Sequence, residues 1–592
     1  MPAPESGPMF VLLVASAFNS LCQRMYAELT DHGHRVDVVL ASHGEEAVRA
    51  AVRETAPQLI VAPMLRTPLP EDIWSACPCL IVHPGPLGDR GPSALDWALH
   101  TGARRWGVTV LQAGAELDAG DVWAEVPFDV PPVSKSDLYR GEASDAAVRA
   151  VLLAVERFAG GSHRPQPQSG AGADSVQVVW RDWFRQAQRR IDWSADPTGT
   201  VVRKLRAADS QPGVLDALHG EEFYLHGGWP EDRLRGEPGE LLATRAGAVC
   251  RATVDGAVWI PELRARRMPG GPRTFKLPAA LALGEAADAL PPMPAALELP
   301  AHRRTWSDIR YRQDGTIGYL WFGFPGGAMS TAHCRRLLAA YRFALTRPTD
   351  VLVLGAPRDF FSNGIHLGVI EHAADPGQES WANINAMDDL VEAILRTTDR
   401  MVVAALGGNA AAGGALLALA ADEVWCRGGA VLNPHYRRMG LYGSEFWTYT
   451  LPRRVGPAMA AELMERAEPV TAVSALRLGL ADRLFPVAPE DFAYEVEQLA
   501  AALAGSLDLH RRISDKAAAR QRDETARPLA DYRREELEHM RRTFFDPEAP
   551  YHALRTAFVH KTPGTGSPRP LAGSGSGPMA LPGALRVAAP VG

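Results

Sequence analysis

Leu80-Ile-Val-His83-Pro84-Gly85-Pro86-Leu87-Gly88-Asp89-Arg90-Gly91, then Gly107-Val-Thr-Val110, then Glu116-Leu-Asp118-Ala-Gly120-Asp121-Val122, decides how the front of this chain reads. The spacing predicts an apolar strand (Cys79–Val82) ending in a histidine, then a Pro/Gly turn. A helix (Ser93–His100), a second strand (Trp106–Gln112) and a carboxylate on a glycine turn follow. Loops at strand ends of open α/β sheets are where ligands sit, and two such loops can bring His83 and Asp118 together. That pair suits proton transfer at an acyl centre. The imidazole positions and polarises, while the carboxylate fixes its tautomer and passes a proton through water. A lone histidine after a strand is a turn residue; two spaced motifs in this order give it weight.

Working outward, Met9–Ala17 reads as a strand, Cys22–His32 as a helix, Val36–Leu40 as a strand, Glu45–Glu54 as a helix and Leu59–Ala62 as a strand. This alternation implies a doubly wound parallel sheet. No Gly-x-Gly-x-x-Gly follows the first strand, so a dinucleotide fingerprint is absent. The loop Pro63–Pro68, carrying Arg66, faces the same edge as His83; it either lines a ligand pocket or is simply a loop. A helix at Ser144–Phe158 closes a first domain, residues 1–165. Gly160–Ala173 is Gly/Pro/Gln/Ser-rich and reads as a linker. Residues 175–283 then form a second domain, with a helix at Thr198–Ala208 and strands at Leu241–Thr244, Val249–Thr253 and Ala257–Pro261.

The front half resembles the formyltetrahydrofolate-dependent formyltransferases. The resemblance rests on the His-x-Gly/Pro turn, the Gly-Val-Thr strand and Leu-Asp-x-Gly-Asp, and then on Ile191-Asp192-Trp193 at the start of a small OB-like β-barrel. It implies N10-formyltetrahydrofolate as formyl donor, with His83 and Asp118 as catalytic residues. The family's asparagine falls on Ile81, which cannot donate to a tetrahedral oxyanion. Loss of such a donor costs about a hundredfold or more in rate.

A new domain, residues 301–561, starts after the Ala/Leu/Pro segment Glu285–Pro300. Strands at Ile317–Phe322, Val351–Gly355, Met401–Ala405 and Asp422–Cys426 alternate with helices. Gly413-Gly414 opens one of these helices. Glycines there signal either close backbone packing or exposed amides that attract negative charge. This half resembles the crotonase (enoyl-CoA hydratase/isomerase) group in Phe361-Ser-Asn-Gly-Ile365, in Gly413-Gly414…Ala421-Asp422 and in Leu451-Pro-Arg-Arg-Val-Gly456. The resemblance implies a CoA thioester whose carbonyl is held by the Ile365 and Gly413 amides. The two hydratase glutamates fall on Leu416 and Tyr436, so water addition is not expected. Glu445, within Gly440-Leu-Tyr-Gly-Ser444-Glu445-Phe-Trp447, is the expected base, with Tyr436 beside it. The other reading places Glu445 in a helix's first turn, capped by Ser444. Asp508–Lys561 reads as a charged helical extension, and 562–592 as a disordered tail.

The balance of 62 basic and 69 acidic side chains, net −7, argues against a nucleic-acid binder. The six scattered cysteines suggest a reduced, cytoplasmic protein without a metal site. No segment reads as membrane-spanning. The pairing of the two halves resembles the hydrogenase maturation factors, which implies synthesis of carbon monoxide for the [NiFe]-hydrogenase iron from N10-formyltetrahydrofolate by way of coenzyme A. Cofactor contacts are expected from Arg66, Ser210, Gln211, Arg555 and Lys561, and [NiFe]-hydrogenase maturation proteins are expected partners. Formyl-CoA formation without carbon monoxide release, and a non-catalytic folate- and CoA-binding scaffold, stay open as alternatives.

Overall fold

The computed structural model describes residues 7–168, 177–356 and 358–562. The later part of the expected linker and the tail beyond Thr562 lie outside them.

The first sheet runs Arg35–Leu40, Phe10–Ala15, Leu59–Met64, Cys79–His83, Arg105–Gln112, Val122–Asp129. The first four strands are parallel, as the alternation of apolar strands and helices predicts. The last two run antiparallel to their neighbours; the short connection from Gln112 to Val122 leaves no room for a helical crossover, whereas the chain returns antiparallel after the His83 strand despite the helix Ala94–His100 between them. Val11, Leu13, Val61 and Leu80 are fully buried beneath the helix Ser144–Gly160. The expected linker does not begin as free chain. Gln166 and Val122 exchange backbone hydrogen bonds at 2.8 and 3.0 Å, and Val179–Trp180 pairs in parallel with Asp89–Arg90. Both flanks of the linker are thus tied to the His83 loops.

The second unit has two four-stranded antiparallel sheets, with more strands than expected from the sequence. Leu218, Phe223, Leu225 and Leu263 of one meet Val249, Val258 and Ile260 of the other around Leu205 of the helix Thr198–Ala208.

The third unit carries a six-stranded sheet, Ile309–Asp314, Ile317–Phe322, Val351–Ala356, Met401–Leu406, Glu423–Arg427, Arg483–Phe485, parallel after the first pair. A second sheet joins Ala410–Ala411, Val431–Asn433 and Val470–Thr471. The charged extension forms the helices Leu509–Ala526, Leu529–Phe545 and Pro550–His560. It serves as a packing face: Leu537, Met540, Phe544 and Tyr551 bury against Ile384 of the helix Pro376–Leu395.

The front and back units are locked by side chains. Arg140, on a single π-turn, binds both oxygens of Asp359 at 2.8 and 2.7 Å and lies over the Phe360 ring. Arg358 binds Glu142 at 2.6 Å, and Arg427 reaches Asp145 at 2.8 Å. Thr471 and Ser474 donate to Asp31. No helix among the described residues is long and apolar enough to cross a membrane.

Candidate active sites

His83 ends its strand opposite Thr109 and is buried. Its Nδ1 lies 3.6 Å from Asp118 Oδ2, so the two sequence-selected residues do meet. A second carboxylate, Asp89, sits 3.2 Å from Nε2 and is itself paired with Arg181. The sequence reading missed Asp89. Its only signal was an acidic residue two turns after the histidine in a loop destined to fold back. Asp118 adopts a left-handed backbone (φ 53°), tolerable for aspartate. Its Oδ2 accepts the Gly91 N–H at 3.1 Å, and its carbonyl accepts from Gln168 at 3.0 Å. Gly85 is a steric necessity: a Cβ there would fall 2.3 Å from His83 Nε2. Ile81 sits mid-strand between Ala62 and Leu111, where no side chain of its kind can stabilise an oxyanion.

The second site assembles where three segments converge. Met329 and the strand-like turn at Ile365 are bridged through Gly364 O and His366 N, which leaves the Ile365 amide unpaired. The helix Gly413–Leu419 begins after Ala412, and the Gly413 N–H likewise has no acceptor among the described residues. A Cβ on Gly364 would lie 3.1 Å from Gly413 N, so the two amides are neighbours. Gly414 has its own reason: a Cβ there would come within 2.0 Å of Ser362 O. Close packing thus accounts for both glycines, and the Gly413 N–H, without an acceptor among the described residues, leaves the anion-site reading open.

Glu445 occupies neither a helix turn nor an exposed loop. It and Phe446 are consecutive left-handed residues (φ 59° and 58°) just before the helix Trp447–Val455. Ser444 is not a helix cap; its hydroxyl donates to both Asp388 oxygens at 2.8 and 3.0 Å. The turn aims the Glu445 carboxyl at Gly413, where an added Cβ would sit 1.9 Å from Oε1. Tyr436 donates its hydroxyl to Oε2 at 2.6 Å, and the Ser444 N–H to the same oxygen at 3.1 Å. Burial, followed by the nearby Asp388 charge, pushes the Glu445 carboxyl from 4.5 up to about 8. Burial and the Glu445 charge raise the Tyr436 hydroxyl far above its ordinary value, so it stays a donor. A carboxyl group thus stands against Gly413, beside two amides that have no acceptor among the described residues.

The expected cofactor contacts divide. Arg66 Nη2 meets Gln211 Oε1 at 3.2 Å, joining the front domain to the loop of Gln211 and its left-handed neighbour Ser210. Lys561 lies with this group: burial, then Lys276, Arg66 and Arg264, lowers its ammonium below the ordinary lysine value. Such mutual repulsion of cations is relieved by an anion. Arg264, missed in the sequence, donates to Pro212 O at 3.0 Å. Arg555 is instead committed to Glu371 at 2.7 Å and lies over the Tyr551 ring, so its charge is already answered.

Three family models match along the chain. Residues 11–155 match the family model "Formyl transferase", 184–271 "Formyl transferase, C-terminal domain", and 328–559 "Enoyl-CoA hydratase/isomerase". The methionyl-tRNA formyltransferase of Variovorax paradoxus is 27% identical over 38% of this chain and 69% of its own. The crystal structure of HypX from Aquifex aeolicus in complex with tetrahydrofolic acid superposes with a TM-score of 0.90 at 42% identity, covering 95% of this chain and 98% of that one. Hydrogenase maturation factor HoxX of Bradyrhizobium diazoefficiens is 45% identical over 95% of this chain and 97% of its own. Sharing both enzyme folds in one order with these relatives along nearly its whole length, the chain belongs to the HoxX/HypX family of hydrogenase maturation factors.

Proposed function

We propose that this protein makes carbon monoxide for the iron of a [NiFe]-hydrogenase, in two steps that share coenzyme A. At the first site His83, oriented by Asp118, takes the thiol proton of CoA as sulfur attacks the formyl carbon of N10-formyltetrahydrofolate. The C–N bond breaks, N10 receives a proton, and formyl-CoA and tetrahydrofolate result. A thiol is a stronger nucleophile than the amine acceptors of related transferases, which offsets the donor lost at Ile81. At the second site the Ile365 and Gly413 amides hold the thioester oxygen, and Glu445 takes the formyl proton. The C–S electron pair leaves with sulfur, and Glu445 with Tyr436 returns a proton to it, giving carbon monoxide and free CoA. No oxidant or reductant is needed.

The observation that carries this reading is the Glu445 carboxyl lying against Gly413, beside the Gly364–Ile365 turn, with a tyrosine hydroxyl on its other oxygen. A relative solved with tetrahydrofolic acid supports the donor. Arg66, Arg264 and Lys561 suit the CoA phosphates, with Ser210 and Gln211 shaping the loop beside them.

The test supplies purified protein with N10-formyltetrahydrofolate and CoA and reads headspace carbon monoxide with a haem reporter. Gas that depends on both substrates supports the proposal; accumulation of formyl-CoA or formate without gas overturns the second step. Lys561→Ala is expected to raise the KM for CoA about tenfold, the loss of one charge-assisted contact, with kcat little changed. Gly413→Ala is expected to cut gas release by about 100-fold, because its Cβ displaces the Glu445 carboxyl by an ångström or more. Tetrahydrofolate release, measured in parallel, should be retained.

A further inference from the structure

We propose, resting on the assignment of Glu445 above, that Asp388 and Glu536 are positioning residues: two buried carboxyl groups from separate helices that clamp the Glu445–Phe446 turn and so aim Glu445 at the thioester. Asp388 belongs to the helix Pro376–Leu395, and Glu536 to the helix Leu529–Phe545 of the C-terminal extension. Asp388 Oδ1 accepts the Glu445 N–H at 2.9 Å, and its two oxygens share the Ser444 hydroxyl. Glu536 Oε2 accepts the Phe446 N–H at 2.9 Å, while Oε1 accepts the Thr448 N–H and hydroxyl at 2.8 and 2.5 Å. Two successive non-glycine residues in the left-handed region persist only where their surroundings over-determine them. Here every N–H of the turn from Glu445 to Phe446 is held by a carboxylate with no access to solvent.

The clamp is also electrostatic. The titratable and charged groups around Glu445 are Tyr436 from the preceding turn, Asp388 and Asp389 from one helix, Glu536 and Arg533 from the second, and Cys334 from the helix Thr331–Leu345. Only Arg533 is cationic, and it lies at the rim, 4.0 Å from Asp388 and closer to Asp389 and Glu392. Burial raises Asp388 to about 7 and Glu536 to about 8. The three carboxyl groups therefore do not all carry charge near neutrality. Each negative charge on the clamp strengthens Glu445 as a proton acceptor.

The experiment uses the full chain and the variants Asp388→Asn and Glu536→Gln, each keeping side-chain size and one acceptor oxygen. Carbon monoxide release from formyl-CoA is measured against pH. In Asp388→Asn the rising limb should move to lower pH by about one unit, from the loss of one charge at close range, and kcat at the plateau should fall while KM for formyl-CoA holds. A purely structural residue would lower the rate without moving the limb. Glu445 protonation is read independently of turnover, from the protonated-carboxyl infrared band that vanishes in Glu445→Gln. Its midpoint should fall in both clamp variants. A midpoint unmoved in both overturns the clamp, even if the wild-type protein makes gas. A midpoint that moves in a wild type making no gas upholds the clamp and overturns the assigned reaction. Should Asp388→Asn not fold, Glu536→Gln gives the same two readouts.

Discussion

Glu445→Gln is expected to stop carbon monoxide release, by about 10²- to 10⁴-fold, while tetrahydrofolate continues to appear. Glutamine preserves the shape, the acceptor for Tyr436 and the contact with Gly413, so only the capacity to take a proton is lost. The pH dependence follows from the raised carboxyl. In the proposed reaction Glu445 acts as a base in its ionised form, and burial with Asp388 pushes its titration to about 8. Release should therefore climb with pH through about 8 and flatten above it. The folding linkage runs the opposite way. A carboxyl raised from 4.5 in the unfolded chain favours the folded state fully below 4.5, and that contribution is lost as pH rises through about 8. Activity and stability thus pull apart across the same window. Native-rate gas production by this variant would remove Glu445 from the chemistry.

His83→Ala is expected to reduce consumption of N10-formyltetrahydrofolate by a comparable 10²- to 10⁴-fold, yet to leave decarbonylation of added formyl-CoA intact. The ring stands between Asp118 on one nitrogen and Asp89 on the other. Asp118 is anchored by backbone, through Gly91 N–H and Gln168, and so acts as the fixed orienting partner. Asp89 is already answered by Arg181, so Nε2 is the nitrogen freed for substrate at least cost. Undiminished consumption would place formyl transfer elsewhere in the front half. The pair of substitutions, at His83 and Glu445, also separates the two steps: each blocks one and spares the other when the intermediate is supplied.

The sequence made the fold legible because both halves carry long apolar strands with short loops between them. His83 and Asp118 were singled out by a strand-end histidine and a glycine-turn carboxylate, and Ile365 and Gly413 by the family resemblance. Tyr436 and Glu445 were placed by family spacing, and the structure joins them in one hydrogen bond. What stayed hidden was whatever arrives from far along the chain. Asp388 and Glu536 look like ordinary acidic residues of amphipathic helices, separated by 148 positions and brought together only by the packing of Ile384, Leu537 and Met540. Arg264 hid on a short strand, and Arg555 looked free because its partner Glu371 lies 184 residues away. The Ser444 cap failed for a local reason: Asp388 takes its hydroxyl first.

The grip of Arg140 on Asp359 bears on why these two catalysts live in a single polypeptide. Asp359 directly precedes the Phe360–Ile365 segment that carries one of the two amides proposed to hold the thioester, so a front-domain residue buttresses that segment. Under the proposed scheme, splitting the gene between Leu283 and Pro300 would do more than let the shuttled intermediate diffuse away. It would also strip Arg140 from Asp359 and Phe360, leaving the segment that leads to Ile365 without its front-domain brace.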